Sequence, residues 1–160
     1  MAIKLDISTV PHTIKKTRLK ELLKLTVEKL SNQIEIPKNG IIELSFVNDK
    51  EIKELNKQIR FINKPTDVLS FSFMQAEGFP TDDLLGEIVI STETARKQAE
   101  KNCNSFDVEI YFLFVHGLLH VFGFNHEERE QFEQMFSIHK KIMPEANWEI
   151  VDEIYREYFS

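Results

Sequence analysis

Three histidines lie in one short stretch, His116 to His126, with the spacing H-x-x-x-H-x-x-G-x-x-H. His116 and His120 are four residues apart, so on a helix they share one face. Gly123 can adopt the left-handed conformation that ends a helix, which lets the chain turn back and bring His126 to the same point. Three protein ligands and an open fourth position are typical of a catalytic zinc site rather than a structural one. The spacing therefore predicts a metal centre, with zinc as the expected ion and nickel, copper or iron(II) as chemically acceptable alternatives.

The residue after the first histidine separates this motif from that of the zinc proteases. In the long zinc-protease motif a glutamate follows the first histidine and serves as the general base. Here that position is Gly117, which has no side chain. The metal-binding half of the motif is present and the base is absent, so a zinc peptidase is the less favoured interpretation.

Length and composition indicate an ordinary globular chain. It has 160 residues, of which 42% are hydrophobic and 29% charged, which suits one domain with a buried core. No apolar run is long enough to span a bilayer, and the first ten residues alternate in polarity like a strand rather than a secretory signal. Cys103 is the only cysteine, which excludes an intramolecular disulfide and fits the reducing cytoplasm. We therefore expect a cytoplasmic protein without a membrane partner.

The charge distribution is uneven along the chain. The net charge of −6 does not favour broad binding to nucleic acid. The acidic residues concentrate after His126, whereas a basic cluster falls in the first helical segment. That cluster consists of Lys15, Lys16, Arg18, Lys20 and Lys24. Each group is ordinary for a solvated helix face, but the asymmetry leaves room for a basic face beside the metal cleft.

Hydrophobic periodicity predicts the secondary-structure elements that must position the motif. Strands are predicted over 1–7, 41–47, 67–73 and 85–90. Helices are predicted over about 11–30, 48–59, 108–122, 127–143 and 148–159, and a further helix is predicted to begin at residue 93. The expected N-caps are Asn48 or Asp49, Ser91 or Thr92, and Asp107, and residues 76–83, with Gly78 and Pro80, are predicted as a loop.

These elements predict a single α+β domain over residues 1–160. We expect a small mixed sheet of about four strands with about five or six helices, and residues 145–160 as a possible extra C-terminal helix. The segment from Val108 to Phe122 is apolar almost all round, so the helix that carries His116 and His120 should be buried against the sheet.

A second group of polar residues lies in the middle of the chain. Arg60 follows a predicted helix, and Thr66, Asp67 and Ser70 lie directly before or within an apolar strand. Each has an ordinary explanation, since Thr66 and Asp67 suit a turn or cap and Arg60 suits the dipole at a helix end. Their position before the third strand nevertheless makes them candidates for a site that includes the metal.

Three segments of the chain resemble the YbeY family of bacterial metal-dependent endoribonucleases that mature ribosomal RNA. Leu55, Asn56 and Arg60, followed by Pro65-Thr66-Asp67-Val68-Leu69-Ser70-Phe71, resemble the family's L-N-x-x-x-R and P-T-D-V-L-S-F segment. Leu85-Gly86-Glu87-Ile88-Val89-Ile90 resembles its L-G-D-I-x-I strand, and His116 to His126 resembles its H-G-x-L-H-L-x-G-Y-D-H signature.

The resemblance implies an α+β fold in which His116, His120 and His126 hold one zinc or similar ion. It also implies a single-stranded RNA substrate, a role in 16S ribosomal RNA maturation and ribosome quality control, and the small ribosomal subunit or its associated factors as partner. On this hypothesis Arg60 grips the phosphate and stabilises its negative charge, while Asp67 and Ser70 position the substrate or a water. Gly117 then indicates that the open metal position serves a phosphate rather than a peptide.

The chain departs from the family pattern at a few positions. Asn125 stands where the family has an aspartate, which replaces a carboxylate by a neutral amide. Glu87 also replaces an aspartate, while Val121 and Phe124 replace a leucine and a tyrosine. The first departure leaves open the alternative of a non-catalytic, metal-stabilised protein that associates with the ribosome.

Overall fold

A four-stranded mixed sheet lies at the centre of the protein. The computed structural model describes residues 2–74 and 84–159. The strands are β1 (Ala2–Ile7), β2 (Asn39–Val47), β3 (Val68–Ser72) and β4 (Leu84–Ser91), in the order β1-β2-β4-β3. β1, β2 and β4 are parallel, and β3 runs antiparallel to β4 at one edge. The four predicted strands are confirmed, and the predicted loop over 76–83 lies outside the described residues.

Six helices surround the sheet in the described part of the chain. They are α1 (Lys16–Leu30), α2 (Asp49–Arg60), α3 (Thr92–Lys101), α4 (Phe106–Val121), α5 (Arg129–Ile142) and α6 (Trp148–Phe159). The predicted α+β domain with a small mixed sheet is thus confirmed. Of these helices, none has both the length and the apolar character needed to cross a membrane.

Short polar side chains start several of the helices. Asn48 caps α2 and Ser91 caps α3, as predicted, and their side-chain oxygens accept first-turn backbone N–H groups at 2.8 and 3.3 Å. The prediction that Asp107 caps α4 is wrong, because Ser105 takes that position. Asp107 lies inside the first turn and accepts a hydrogen bond from the Thr13 hydroxyl at 2.5 Å, which ties α4 to the segment before α1.

Two helices begin later than their periodicity predicts. α1 was expected near residue 11 but begins at Lys16, since the N–H of Ile14 donates to the carbonyl of Pro11 in a separate turn. α5 was expected from residue 127 but begins at Arg129. The residues before α5 instead lead the chain away from the third histidine of the motif.

The core lies on both faces of the sheet. Leu22, Phe114 and Leu118 belong to a large buried cluster between the sheet and the helices α1 and α4. A smaller cluster on the other face joins Ile52 of α2 to Leu69 and Val89. β4 is therefore buried on both faces, and α4 is buried against the sheet as predicted.

Two glycines allow α4 and the sheet to approach closely. A Cβ atom on Gly117 of α4 would lie 2.9 Å from Cγ2 of Ile88 in β4. A Cβ atom on Gly86 of β4 would lie 2.4 Å from Cγ1 of Val121 in α4. Since carbon atoms in favourable contact lie about 3.5–4.0 Å apart, either side chain would push the helix from the sheet. Gly117 therefore serves packing, and its face of the helix points to the sheet.

Candidate metal centre

The three histidines of the motif converge at one point. Nε2 of His116 and Nε2 of His120 are 3.0 Å apart, one turn from each other on α4. His126 contributes a third ring nitrogen. One ligand atom from each of the three histidines lies within 4.8 Å of the other two. All three side chains are half-buried, so the group opens toward solvent on one side.

A left-handed turn at the end of α4 brings the third histidine back. Gly123 has φ +100°, a conformation that a residue with a Cβ atom rarely adopts. Its N–H donates to the carbonyl of His120 at 3.0 Å, and the N–H of Phe124 donates to the carbonyl of Leu119 at 2.9 Å. These two hydrogen bonds form a Schellman motif. The helix therefore ends where the spacing predicts, and His126 follows within one short turn.

The surroundings favour the neutral forms of His116 and His120. Burial lowers the pKa of His116 well below its ordinary value of 6.5, and the neighbouring histidines lower it further. Burial also lowers the pKa of His120, together with the charges of His126 and Arg60, although a hydrogen bond with the Phe124 backbone acts in the opposite direction. Neutral imidazoles retain the lone pairs that bind a metal ion.

An aromatic wall that the sequence does not reveal lies behind the histidines. Buried His139 of α5 stacks on Phe112 with 4.3 Å between ring centroids and meets Trp148 of α6 edge to face at 4.9 Å. Phe112 in turn stacks on His116 at 6.4 Å. Burial lowers the pKa of His139 to about 3 and keeps it neutral. The wall excludes water from one side of the histidines and restricts the His116 ring, which favours a fixed ligand geometry.

Strand pairing brings the second group of polar residues to the same place. Ser70 of β3 pairs with Ile88 of β4, and paired residues of antiparallel strands point to the same face of the sheet. Ile88 lies against α4 at Gly117, the residue after His116. Ser70 therefore also faces α4. Asp67 lies directly before β3, where its Oδ1 accepts the Val68 N–H at 2.7 Å.

An open cleft of about 800 Å³ contains the histidines and the predicted second group. Arg60, Thr66, Asp67 and Ser70 line one side of it. The full lining is Ile59, Arg60, Thr66, Asp67, Val68, Leu69, Ser70, Phe71, His116, His120, Gly123, Phe124, Asn125, His126 and Glu127. Ile59 and Glu127 were not predicted, and only their proximity in sequence to Arg60 and His126 could have indicated them.

The cleft lining carries little positive charge of its own. Arg60 is its one basic residue among the described residues, whereas Asp67 and Glu127 are acidic. The basic cluster of α1 does not line the cleft, and Arg18 from that cluster pairs with Glu21 and Glu145, each at 2.9 Å. The basic face that the sequence left open beside the cleft is therefore not formed by α1.

Asn125 and Glu87, two departures from the family pattern, lie in different parts of the fold. Asn125 lines the cleft, and its Oδ1 accepts the N–H of Glu127 at 3.4 Å, so the amide shapes the loop around His126. Glu87 pairs with Glu43 across β2 and β4, away from the cleft. Partial burial, followed by the charge of Glu43, raises the pKa of Glu87.

The donor set fits a divalent metal ion. Two imidazole nitrogens that share one zinc ion at about 2.0–2.1 Å lie about 3.3 Å apart at the tetrahedral angle, close to the 3.0 Å between His116 and His120. Three nitrogen donors would leave a coordination position of such an ion available to a water or a substrate. An α+β domain with three converging histidines in an open cleft belongs to the class of candidate metal-dependent hydrolases.

Comparison with known proteins identifies the family. A sequence profile described as endoribonuclease YbeY matches residues 4–147. The endoribonuclease YbeY of Bacillus cereus strain G9842 is 31% identical over 150 residues, covering 89% of this chain and 96% of its own. That of Nautilia profundicola is 48% identical over 101 residues, covering 63% and 70%. The chain therefore belongs to the endoribonuclease YbeY family.

A solved structure shows the same fold. The solution structure of TM1509 from Thermotoga maritima aligns with a TM-score of 0.53 and 28% sequence identity, covering 91% of each chain. The alignment extends over nearly the whole domain, so the α+β fold is shared with this protein.

Proposed function

We propose that this protein is a cytoplasmic, metal-dependent endoribonuclease that cuts single-stranded RNA during ribosomal RNA maturation. Its membership of the endoribonuclease YbeY family supports the activity. The observation that carries the proposal is the convergence of His116, His120 and His126 within 4.8 Å, in a cleft that also contains Arg60.

The histidines would hold the ion in this proposal. His116, His120 and His126 supply three ring nitrogens, and the aromatic wall behind them restricts the His116 ring. A bound zinc or similar ion supplies Lewis-acid chemistry, polarising a phosphate oxygen or lowering the pKa of a water. Because acidic residues outnumber Arg60 in the cleft lining, the charge of a bound ion would add to the attraction for a phosphate.

Arg60 is suited to bind the phosphate. Its side chain is exposed at the end of α2, and in the described part of the chain no carboxylate lies within ion-pair distance of it. It is close enough to His120 to contribute to the lowered pKa of that ring. A guanidinium donates two parallel hydrogen bonds to a phosphate, and it stabilises the charge that develops during cleavage.

Asp67 and Ser70 are suited to position the reactants. Oδ1 of Asp67 accepts hydrogen bonds from the N–H of Val68 at 2.7 Å and the hydroxyl of Thr66 at 3.3 Å, which hold the carboxylate at the cleft wall. Ser70 presents its hydroxyl to the α4 side of the sheet. We assign Asp67 to orienting an attacking water and Ser70 to a hydrogen bond with the phosphate.

The packing of α4 argues against a peptidase. The general base of the zinc proteases would stand at Gly117, but this position faces Ile88 and the sheet, with 2.9 Å between an added Cβ atom and Ile88 Cγ2. A glutamate there would enter the core instead of the cleft. Residues 68–71 of the edge strand β3 line the cleft, and a cleft wall formed by an edge strand suits an extended single strand of RNA.

The substrate is best presented by a ribosomal particle. The net charge of −6 weakens general attraction to RNA, since phosphate contacts from basic residues supply most nonspecific affinity. We therefore infer that the small ribosomal subunit or its precursor brings the RNA to the cleft. Co-sedimentation of the protein with purified small subunits tests this, and equal recovery without subunits would contradict it.

RNA cleavage by purified variants tests the catalytic proposal. We expect the zinc-loaded protein to cut single-stranded RNA and not a matched duplex, and we expect His120→Ala to abolish cleavage. Arg60→Ala should lower kcat about 100- to 1,000-fold, the usual effect of removing one charge-stabilising donor. Arg129→Ala removes an arginine outside the cleft lining and is the matched control.

Three results would contradict the proposal. Equal cleavage by wild type and His120→Ala would indicate a contaminating nuclease. Full activity of Arg60→Ala with an inactive His120→Ala would remove Arg60 from phosphate binding. Zinc stabilisation of the fold without any cleavage of RNA would favour the non-catalytic ribosome-associated protein. Casein in a parallel assay tests the peptidase, for which we expect no cleavage.

A further inference from the structure

Phe61 exposes an aromatic ring beside the cleft. Its side chain is 89% exposed, more than that of any other large apolar residue among those that the structure describes. Ile59 and Ile62 next to it are 47% and 39% exposed. Three apolar side chains thus reach solvent within four consecutive positions, although nothing in the described fold requires them there. Neighbouring exposed apolar residues, unlike ones that are scattered singly, are a feature of binding sites on folded surfaces.

The backbone of Phe61 adopts a conformation that disfavours phenylalanine. It ends α2 in the left-handed region, with φ 59° and ψ 28°. Glycine normally takes this position because it has no Cβ atom, and Gly123 does so at the end of α4. Phe61 therefore bears a steric cost that its own packing does not offset, since its ring is solvent-exposed. A role outside the fold accounts for that cost.

Hydrogen bonds with Asn56 hold the turn that carries Phe61. The N–H groups of Phe61 and Ile62 both donate to the carbonyl of Asn56. The side chain of Asn56, which is only 2% exposed, donates from Nδ2 to the carbonyl of Lys64 at 2.9 Å. Asn56 thereby fixes the backbone on both sides of the exposed ring. A turn whose backbone is already held loses little backbone entropy on binding, which suits a preformed site.

The position and charge of this turn match a nucleic acid strand. Ile59 and Arg60, directly before Phe61, line the cleft with the three histidines. Lys57 and Lys64, which flank Phe61 in the sequence, are both exposed. Aromatic rings that stack on bases, combined with basic residues that follow the backbone, are the general means of binding single strands.

We propose that Phe61 is a stacking platform for an unpaired base of the RNA substrate, with Arg60 and Lys64 on the adjoining phosphates. The platform lies outside the metal site and would hold the strand at the mouth of the cleft. This inference rests on the proposed endoribonuclease function and adds to it a subsite for one nucleotide. It predicts that unpaired RNA is preferred because a paired base cannot expose its face to the ring.

Binding of a fluorescein-labelled single-stranded RNA, followed by anisotropy in EDTA so that cleavage does not occur, tests the platform. We expect Phe61→Gly to weaken binding about tenfold, within the range for loss of one base stack. Phe61→Leu should lose most of the same affinity, since it keeps apolar area without an aromatic face, and Phe61→Trp should retain it. Ile154→Ala, at a residue that is 43% exposed on α6, should leave binding unchanged.

Thermal unfolding controls for the fold in the same variants. Phe61→Gly should be at least as stable as wild type, because glycine relieves the left-handed strain. The loss of affinity would then coincide with unchanged or higher stability. Loss of binding that accompanies unfolding would overturn the assignment of the ring as a contact, and the retained binding of Phe61→Trp supports it independently.

The salt dependence of binding separates stacking from charge. Phe61→Gly should shift log Kd by a constant amount at every salt concentration, whereas Lys64→Ala should reduce the slope by about 0.7, the value for one phosphate of a single strand. Unchanged affinity in Phe61→Gly, or wild-type affinity in Phe61→Leu, would overturn the proposal. So would a dimer of the wild type that Phe61→Gly converts to monomer, since the ring would then contact a second copy.

Failure of the platform and failure of the proposed function give different results. If only the platform is wrong, Phe61→Gly keeps its KM and kcat on RNA while His120→Ala remains inactive. If the nuclease function is wrong, wild type itself does not cut RNA. If the platform is right, Phe61→Gly raises KM with kcat nearly unchanged, because stacking at the cleft mouth contributes to binding rather than chemistry.

Discussion

Substitution of Gly117 tests whether packing determines the unusual residue in the histidine motif. Gly117→Ala adds one methyl group to α4 at 2.9 Å from Cγ2 and 3.3 Å from Cδ1 and Cγ1 of Ile88. The shortest of these distances is about 0.6–1.1 Å less than a favourable carbon contact. Either the Ile88 side chain or the helix must move to admit the methyl group.

The expected effect on stability combines two opposing contributions. Overpacking a buried interface costs about 1–3 kcal/mol, whereas alanine is about 1 kcal/mol better than glycine inside a helix. Gly117→Ala should therefore lower the free energy of unfolding by about 1 kcal/mol, which corresponds to about 3 °C in Tm for a chain of this size. Without the contact to Ile88, the same substitution would raise stability by about 1 kcal/mol.

A second substitution, Ile88→Ala, should reverse the sign of the effect that Gly117→Ala has on stability. Ile88→Ala removes the three carbon atoms that the added methyl group would contact. In that background Gly117→Ala should stabilise the protein by about 1 kcal/mol, giving a coupling of about 2 kcal/mol between the sites. Urea unfolding of the four proteins in EDTA measures the coupling without a contribution from metal binding. An equal effect of Gly117→Ala in both backgrounds would refute the packing argument.

Four further predictions follow from the metal centre, two carboxylates and one amide. Zinc at about 100 times its Kd should stabilise wild type by about 2.7 kcal/mol in thermal unfolding, and His126→Ala should show a much smaller shift. Burial acts to raise the pKa of Asp49, but hydrogen bonds from Ser91, Thr94 and Lys97 lower it overall. Asp49→Asn should therefore cost about 1–2 kcal/mol at neutral pH, and the difference from wild type should shrink as pH falls below 3.8 through the lowered folded-state pKa. Glu87, whose pKa is raised by burial and then by Glu43, should show the opposite sign: Glu87→Gln gains about 0.5 kcal/mol at neutral pH, and the gain should vanish below pH 4.5. Asn56→Ala should cost about 0.5–1.5 kcal/mol in urea unfolding, because it removes the hydrogen bond that buried Asn56 donates to the carbonyl of Lys64, and full stability would contradict its role in the turn.

Local patterns in the sequence predict most of the fold. Asn48 and Ser91 cap their helices because a cap is a hydrogen bond between near neighbours, which residue type indicates directly. Asp107 fails as a cap because Ser105 also suits that position, and the distant Thr13 binds the Asp107 carboxylate instead. The choice between two chemically suitable caps thus depends on a contact 94 residues away in the chain.

The sequence alone determined how the three histidines can meet. A separation of four residues on a helix and a glycine that reverses the chain are both local properties, so His116, His120 and His126 converge without help from distant residues. Their role as ligands stays a prediction that metal analysis can test. Arg60, Asp67 and Ser70 are predicted as site residues because they resemble a family motif. No local pattern in the sequence places them next to the histidines.

Only the tertiary structure decided what surrounds the metal centre. β3 joins the sheet as an antiparallel edge strand, and this non-local pairing places Ser70 on the face that α4 covers. Close packing between α4 and β4 gives Gly117 its role, and the course of α1 keeps the basic cluster out of the cleft lining. Each depends on contacts between residues far apart in sequence, whereas local periodicity specifies only which residues share a face.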